Sequence, residues 1–297
     1  MINRAIHLDT KTLVLTILAM IAFAANSVLC RLALGDNTID ASSFTAIRLL
    51  SGAFVLILIL KISNKEKNLY SSGSWYSSIM LFLYAITFSY AYITLDAGTG
   101  ALILFGSVQI TMILLSIITG NRLHIIEWLG ILIAFSGFVY LVLPGVSTPS
   151  IVGFVLMTVA GIAWGIYTLK GRGSVNPLAD TSYNFVRTIP IVLILLAITI
   201  NKAHYSLDGI VLAILSGAIA SGIGYTIWYI ALGGLSATLA AVVQLSVPVI
   251  TAFGGVIFIS EAITLRLTIS AMLILGGILM VMLGRYYFVQ LRLDDET

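Results

Sequence analysis

Few residues in this chain can do chemistry, and most of those lie inside long apolar stretches. Asn26, Gln109 and Gln244 are amides that fall within such stretches. An amide in hydrocarbon needs hydrogen-bond partners, and a solute in a lined cavity can supply them. Aromatic residues recur at helical spacing: Tyr84 with Phe88, Trp164 with Tyr167, Tyr225 with Trp228, and Phe105 one turn before Gln109. Residues three or four apart share a helix face, so each pair presents one wall. Aromatic walls beside an amide suit an amphipathic or zwitterionic compound of amino-acid size. Each residue also has a plainer role: an interhelical hydrogen bond for the amides and an interface belt for Tyr and Trp.

The charged candidates are sparser. Arg48 and Arg187 each fall within an apolar stretch, where a central arginine costs about 2.5–3.5 kcal/mol on insertion scales. Both side chains are long enough to snorkel, which favours a structural or gating role. The alternative is that they face an aqueous cavity and clamp a carboxylate or phosphate. Arg31 and Lys170 close equivalent helices and should anchor them at opposite faces, while Glu261 should cap the last helix or pair with Arg266. Pro248 should kink the ninth span, making it a candidate moving part. Asp96, Glu127, Asp208 and Glu261 all fall near span ends. With no carboxylate expected at mid-membrane, a buried proton carrier is disfavoured, and facilitated diffusion or exchange fits better.

Several chemistries find no support in the residues. One cysteine, Cys30, cannot build a disulfide framework, and His7, His124 and His204 are too far apart in sequence to suggest a metal centre,. The chain has no His-Glu-x-x-His, no paired mid-span aspartates and no Ser/His arrangement at membrane depth, so an enzyme is not expected. None of the 26 glycines sits between a strand and a helix as a nucleotide loop requires,. Neither metal nor cofactor is expected, and the partners reduce to a small-molecule substrate and lipid, without nucleic acid.

The elements that must position these residues follow from composition. Of 297 residues, 60% are hydrophobic and only 9% charged, with a mean hydropathy of +1.10. Soluble domains carry about 25% charged residues, so lipid must solvate most of this chain. A membrane helix takes about 20 apolar residues. That ruler places ten spans near 12–33, 41–61, 75–95, 97–119, 125–143, 150–170, 179–200, 208–231, 235–259 and 266–288. Short connections carry breakers such as Gly35-Asp36-Asn37 and Asn176-Pro177,. The first span resembles a signal peptide around Ala22-Phe23-Ala24, but its apolar run is long and more spans follow, so it is read as a retained helix,.

Lysine and arginine placement sets orientation. With a cytoplasmic N-terminus, Arg4, Lys11, Lys61, Lys65, Lys67, Arg122, Lys170, Arg172, Arg285 and Arg292 lie inside, against Arg31, Lys202 and Arg266 outside. Both termini are therefore expected in the cytoplasm of a multi-pass protein of the plasma (inner) membrane.

The spans divide into two similar sets of five. Tyr92-Ile-Thr-Leu-Asp96-Ala-Gly-Thr-Gly-Ala-Leu102 matches Tyr229-Ile-Ala-Leu-Gly233-Gly-Leu-Ser-Ala-Thr-Leu239, Arg48 matches Arg187, and the Asn121 stretch matches that of Glu261. An odd number of spans per repeat inverts the second copy, and inverted repeats are a signature of secondary transporters. The expected fold is thus all-α, ten transmembrane helices as two inverted five-helix repeats over 12–143 and 150–288.

Trp164-Gly165-x-Tyr167-x-x-Lys170, the arginine of each half, and Leu235-Ser236-Ala237 followed by Pro248, Glu261 and a glycine-rich last span carry a family likeness. The chain resembles the drug/metabolite transporter superfamily, specifically ten-span proteins with two EamA-type repeats, across roughly 12–288. It departs at Ala24-Ala25-Asn26, where a Trp-Gly pair is common. It departs again at Thr111, the counterpart of Pro248, and at Asn121, the counterpart of Glu261. An asymmetric site is expected. The resemblance implies an exporter or exchanger of a small metabolite, most simply an amino acid, working by alternating access as a monomer or weak homodimer. The rivals are a transporter of phosphorylated or nucleotide-linked sugars using Arg48 and Arg187, and a channel or accessory membrane subunit.

Overall fold

The computed structural model describes residues 9–63, 73–118, 124–143, 148–171, 174–235 and 243–295. Arg4, Lys65, Lys67, Arg122 and Arg172, on which the orientation partly rests, lie outside the described residues, as do Asn121 and residues 236–239 of the repeated pattern.

Helices follow one another in the expected order: α1 (Thr10–Gly35), α2 (Ala41–Ile62), α3 (Trp75–Ala91), α4 (Ala97–Ile118), α5 (Ile125–Val142), α6 (Ile151–Gly171), α7 (Pro177–Thr199), α8 (Leu207–Leu232), α9 (Val247–Ile259) and α10 (Leu265–Asp295). Among the described residues, α1, α2, α4, α6, α7 and α8 are long and apolar enough to cross a membrane, and α5, α9 and α10 contribute shorter apolar stretches. Phe54, Leu132, Leu193, Phe253 and Met272 point outward and are more than half exposed. An outer surface of large apolar side chains is what lipid solvates and water does not.

Caps start the helices where the sequence offers them. The Asp40 carboxylate accepts from the amides of Ser42 (3.1 Å) and Ser43 (3.0 Å) at the head of α2. The Ser74 hydroxyl accepts from Ser77 (3.0 Å) at α3, and Ser206 from Gly209 (3.1 Å) at α8. Each side chain satisfies an amide that the first turn leaves unpaired. Pro190 lies inside α7, but Pro248 does not kink a continuous ninth span. The chain turns at Leu245-Ser246, and α9 begins at Val247 with the proline in its first turn. Proline disfavours helical geometry in the residue before it and has no amide to lose at a helix start.

The principal packing joins the first five helices to the last five. α5 lies along α10, α6 against α3 and α4, α2 against α7 and α8, and α9 against α1 and α4. The middle of α8, Leu215–Ile223, is π-helical. Gly217 lets this segment press against α2, because a Cβ there would collide with the Arg48 carbonyl oxygen. Gly161 does the same for α6 on α4, where a Cβ would stand 2.7 Å from the Leu104 carbonyl oxygen. The core is therefore the seam between the two sets of helices.

Candidate functional site

A small cavity lies in that seam, walled by Phe23, Asn26 and Ser27 of α1, Tyr84 and Phe88 of α3, Leu104 and Phe105 of α4, Trp164 of α6 and Tyr225 of α8. Its volume is about 10 Å³, room for about one water molecule. Trp164 stands at its centre, 4.8 Å from the Tyr84 ring, 5.0 Å from Tyr225 and stacked at 5.4 Å on Tyr167. Tyr84 and Phe88 lie 5.3 Å apart. The ten expected binding residues are all buried. Asn26, Tyr84, Phe88, Phe105, Trp164 and Tyr225 meet on the cavity, while Tyr167 and Trp228 stand one ring behind, on Trp164 and Phe23. Gln109 and Gln244 do not border it.

Polar side chains form a connected set behind the rings. The Tyr84 hydroxyl accepts from Asn26 Nδ2 at 3.3 Å and from Arg48 Nη2 at 2.9 Å. Ser216 donates to Asn26 Oδ1 at 2.6 Å, and Arg48 Nε donates to Ser221 at 3.4 Å. The π-helical segment supplies both serines. Arg48 does not snorkel. It is 1% exposed, with its guanidinium 4.8 Å from the Phe88 centroid and 5.1 Å from that of Tyr84. The neighbouring aromatic faces hold the cation in place. Arg187 sits elsewhere, at the head of α3 beside Gly73. Tyr84 lies eleven positions along α3 and its lead-in from Gly73, about 16 Å at helical rise. The structure therefore brings only Arg48 up behind the cavity wall, and Arg187 not at all.

Two seals flank the cavity. At the end where α1 finishes, Arg31 Nε donates to Glu261 Oε1 at 2.9 Å, its Nη1 to the carbonyls of Tyr92 (3.1 Å) and Ile93 (3.3 Å), and its Nη2 approaches Asp96 at 3.5 Å. Glu261 Oε2 accepts from the Ala97 amide at 2.8 Å. The carboxylate thus caps α4 and pairs with Arg31, not with α10 or Arg266. Arg266 is taken by α5 and the segment after it: it donates to Thr148 at 2.8 Å and to the carbonyls of Leu141 and Leu143, oxygens that a helix terminus leaves unpaired. Burial pushes the Glu261 carboxyl above its ordinary value, with Asp96 adding to the rise, against the lowering effects of Arg31 and the Ala97 amide.

At the opposite end, Asp180 accepts from the Gly73 amide and Asn184 from the Ser74 amide, both at 2.8 Å. Lys170 is exposed in the last turn of α6, where a cation complements the helix terminus. Here a cleft of about 430 Å³ opens between Pro177, Leu178 and Thr181 of α7 and Thr226, Tyr229 and Ile230 of α8. Tyr167, which takes a hydrogen bond from Asn184 (3.5 Å) and stacks on Trp164, stands between cleft and cavity.

Phe23, Ser27, Ser216 and Ser221 were not legible as site residues. Phe23 and Ser27 share a face with Asn26 or follow it directly on α1, a signal that could have found them. The two serines read as small packing residues of a glycine-rich span.

The profile of the EamA-like transporter family matches the chain twice, over residues 10–143 and 151–283. An uncharacterized protein of Pseudomonas aeruginosa is 47% identical over 277 residues, covering 93% of this chain and 96% of its own. An uncharacterized transporter of Archaeoglobus fulgidus is 28% identical, covering 78% and 84%. One of Bacillus subtilis is 20% identical, covering 83% and 88%. A solved crystal structure shares the fold with a TM-score of 0.61 at 17% identity, over 90% of this chain and 96% of that one. The chain belongs to the EamA-like transporter family.

Proposed function

We propose that this membrane protein is a secondary transporter. It moves a small amphipathic metabolite of amino-acid size by alternating access between its two five-helix halves, as an exporter or exchanger. The observation that carries the reading is an aromatic cavity in the seam between the halves, closed differently at its two ends. The family and the names of its relatives support transport. In this reading the Arg31–Glu261 seal faces outward, the cleft faces the cytoplasm together with both chain termini, and Tyr167 is the inner gate. The inverted duplication supplies the second state. Movement of one half against the other would part the Arg31 seal while closing the cleft.

Proteoliposome counterflow tests this. Saturable, protein-dependent exchange of a labelled amino acid or related metabolite is expected, with loss of exchange in Trp164→Ala while the variant still unfolds cooperatively. Flux that never saturates would indicate a channel instead. The sugar-phosphate alternative requires Arg187 at the site. Phosphate compounds should therefore compete no better in wild-type protein than in Arg187→Gln.

A further inference from the structure

Directly behind the cavity wall, against its Tyr84 and Phe88 rings, lies a positive charge with no negative one to match it. Arg48 is buried, and two of its three nitrogens are engaged by neutral hydroxyls, those of Tyr84 and Ser221. The third, Nη1, is buried without a hydrogen-bond partner, and the hydroxyl of Ser27, beside that of Tyr92, lines the cavity. Among the described residues no Asp or Glu borders the cavity. Asp96 and Glu261 are committed to Arg31 at the end of α1. A buried ion without a counter-ion costs several kcal/mol, and ionisable residues at membrane depth mark substrate or ion paths. The Tyr84 and Phe88 rings that hold the guanidinium are themselves cavity walls.

Building on the transporter reading above, we infer that the ligand supplies the missing charge. The site takes a monocarboxylate with an apolar or aromatic body, net charge −1, and no ammonium group. Arg48 Nη1 and the Ser27 hydroxyl donate to the carboxylate, and the body lies among Phe88, Phe105, Trp164 and Tyr225. An ammonium group would find no carboxylate on the described wall and would be repelled by Arg48. In the closed form the cavity holds about one water, so the ligand enters as the halves part and occupies the space between the rings.

Three compounds of one shape separate the charge states: hydrocinnamate (anion), phenylalanine (zwitterion) and phenethylamine (cation). Binding to the purified full-length protein is read by tryptophan fluorescence and by thermal shift. Hydrocinnamate should bind, phenylalanine about tenfold more weakly or worse, and phenethylamine not at all, where tenfold is about 1.4 kcal/mol. Arg48→Gln should lose hydrocinnamate binding, Arg48→Lys keep part of it, and Ser27→Ala weaken it. Equal or tighter binding of phenylalanine or phenethylamine overturns the inference. So does failure of all three to bind, or hydrocinnamate binding unchanged in Arg48→Gln. Should Arg48→Gln not fold, the wild-type charge series and Ser27→Ala decide. Saturable phenylalanine exchange independent of Arg48 would remove this inference and leave the transporter reading standing. Hydrocinnamate binding without flux would do the reverse.

Discussion

Tyr84 is the residue on which the site turns, since its one hydroxyl takes buried donors from both Asn26 and Arg48. Tyr84→Phe keeps the ring and strands both donors. An unsatisfied buried donor costs about 1–3 kcal/mol, so the variant should show a clearly lowered unfolding temperature in detergent, whereas Phe88→Leu, which strands no polar atom, should lower it less. Glu261 gives the pH dependence. Its carboxyl is raised in the closed form chiefly by burial, so desolvating the ionised carboxylate costs the closed form more than the Arg31 pair and the Ala97 amide return. The stability this group contributes is present below its ordinary pKa and is lost as pH rises through the raised one. Opening that returns the carboxylate to water is therefore favoured by alkaline pH across that window, and acidification favours the closed seal. Arg31 and Asp96 are the charged groups facing it. Accessibility of the outer end should rise with pH in wild-type protein and lose that dependence in Glu261→Gln. A dependence of the opposite sign would contradict the raised carboxyl. The amide-and-aromatic pattern made Asn26, Tyr84, Phe88, Trp164 and Tyr225 legible from sequence. The partner of Glu261 was not, because Arg31 lies 230 positions away and Arg266 was the nearer basic residue.

At the scale of elements, α8 carries most of what the sequence concealed. Its apolar run reads as an ordinary span, yet its middle is π-helical, and that segment places Ser216 on Asn26 and Ser221 on Arg48. Serines amid glycine and alanine signal close packing, which is only half of their role. The close approach itself makes a sharp prediction. Gly217→Ala drives a Cβ into the Arg48 backbone, and overpacking of this kind costs about 1–3 kcal/mol. Gly276, where a Cβ meets nothing within 4 Å, is the control. Gly276→Ala should be neutral or gain up to about 1 kcal/mol from helix propensity. Thermal unfolding of the two single variants checks this, and equal behaviour would refute the tight α2–α8 contact. Span boundaries were legible wherever a cap residue stood beside an apolar run, as at Asp40, Ser74 and Ser206. They failed at α9, where an uninterrupted apolar stretch hid the turn before Pro248.

For the whole molecule, the repeat written in the sequence makes the two seals comparable, and they are not equal. The counterparts of Arg31, Asp96 and Glu261 in the other half are Lys170, Gly233 and Asn121. Both of those carboxylates are lost, so the repeat does not copy the Arg31–Asp96–Glu261 cluster at the other end. The ionic cluster favours closure at the Arg31 end. Cys30, the single cysteine, is buried one residue from Arg31 and reports on that end. A membrane-impermeant maleimide should leave it unlabelled in wild-type protein and label it in Arg31→Gln. Labelling equal in the two would show that the ionic cluster does not hold the outer end shut. The most direct test of the central claim, that solute crosses through the aromatic cavity in the seam, is counterflow in proteoliposomes. Labelled phenylalanine and hydrocinnamate would be followed in wild-type protein and in Trp164→Ala. Saturable exchange of one of them in wild type, reduced about tenfold or more in a folded Trp164→Ala (about 1.4 kcal/mol or more), is the expected result. No saturable exchange of either, or equal exchange in the variant, would contradict it.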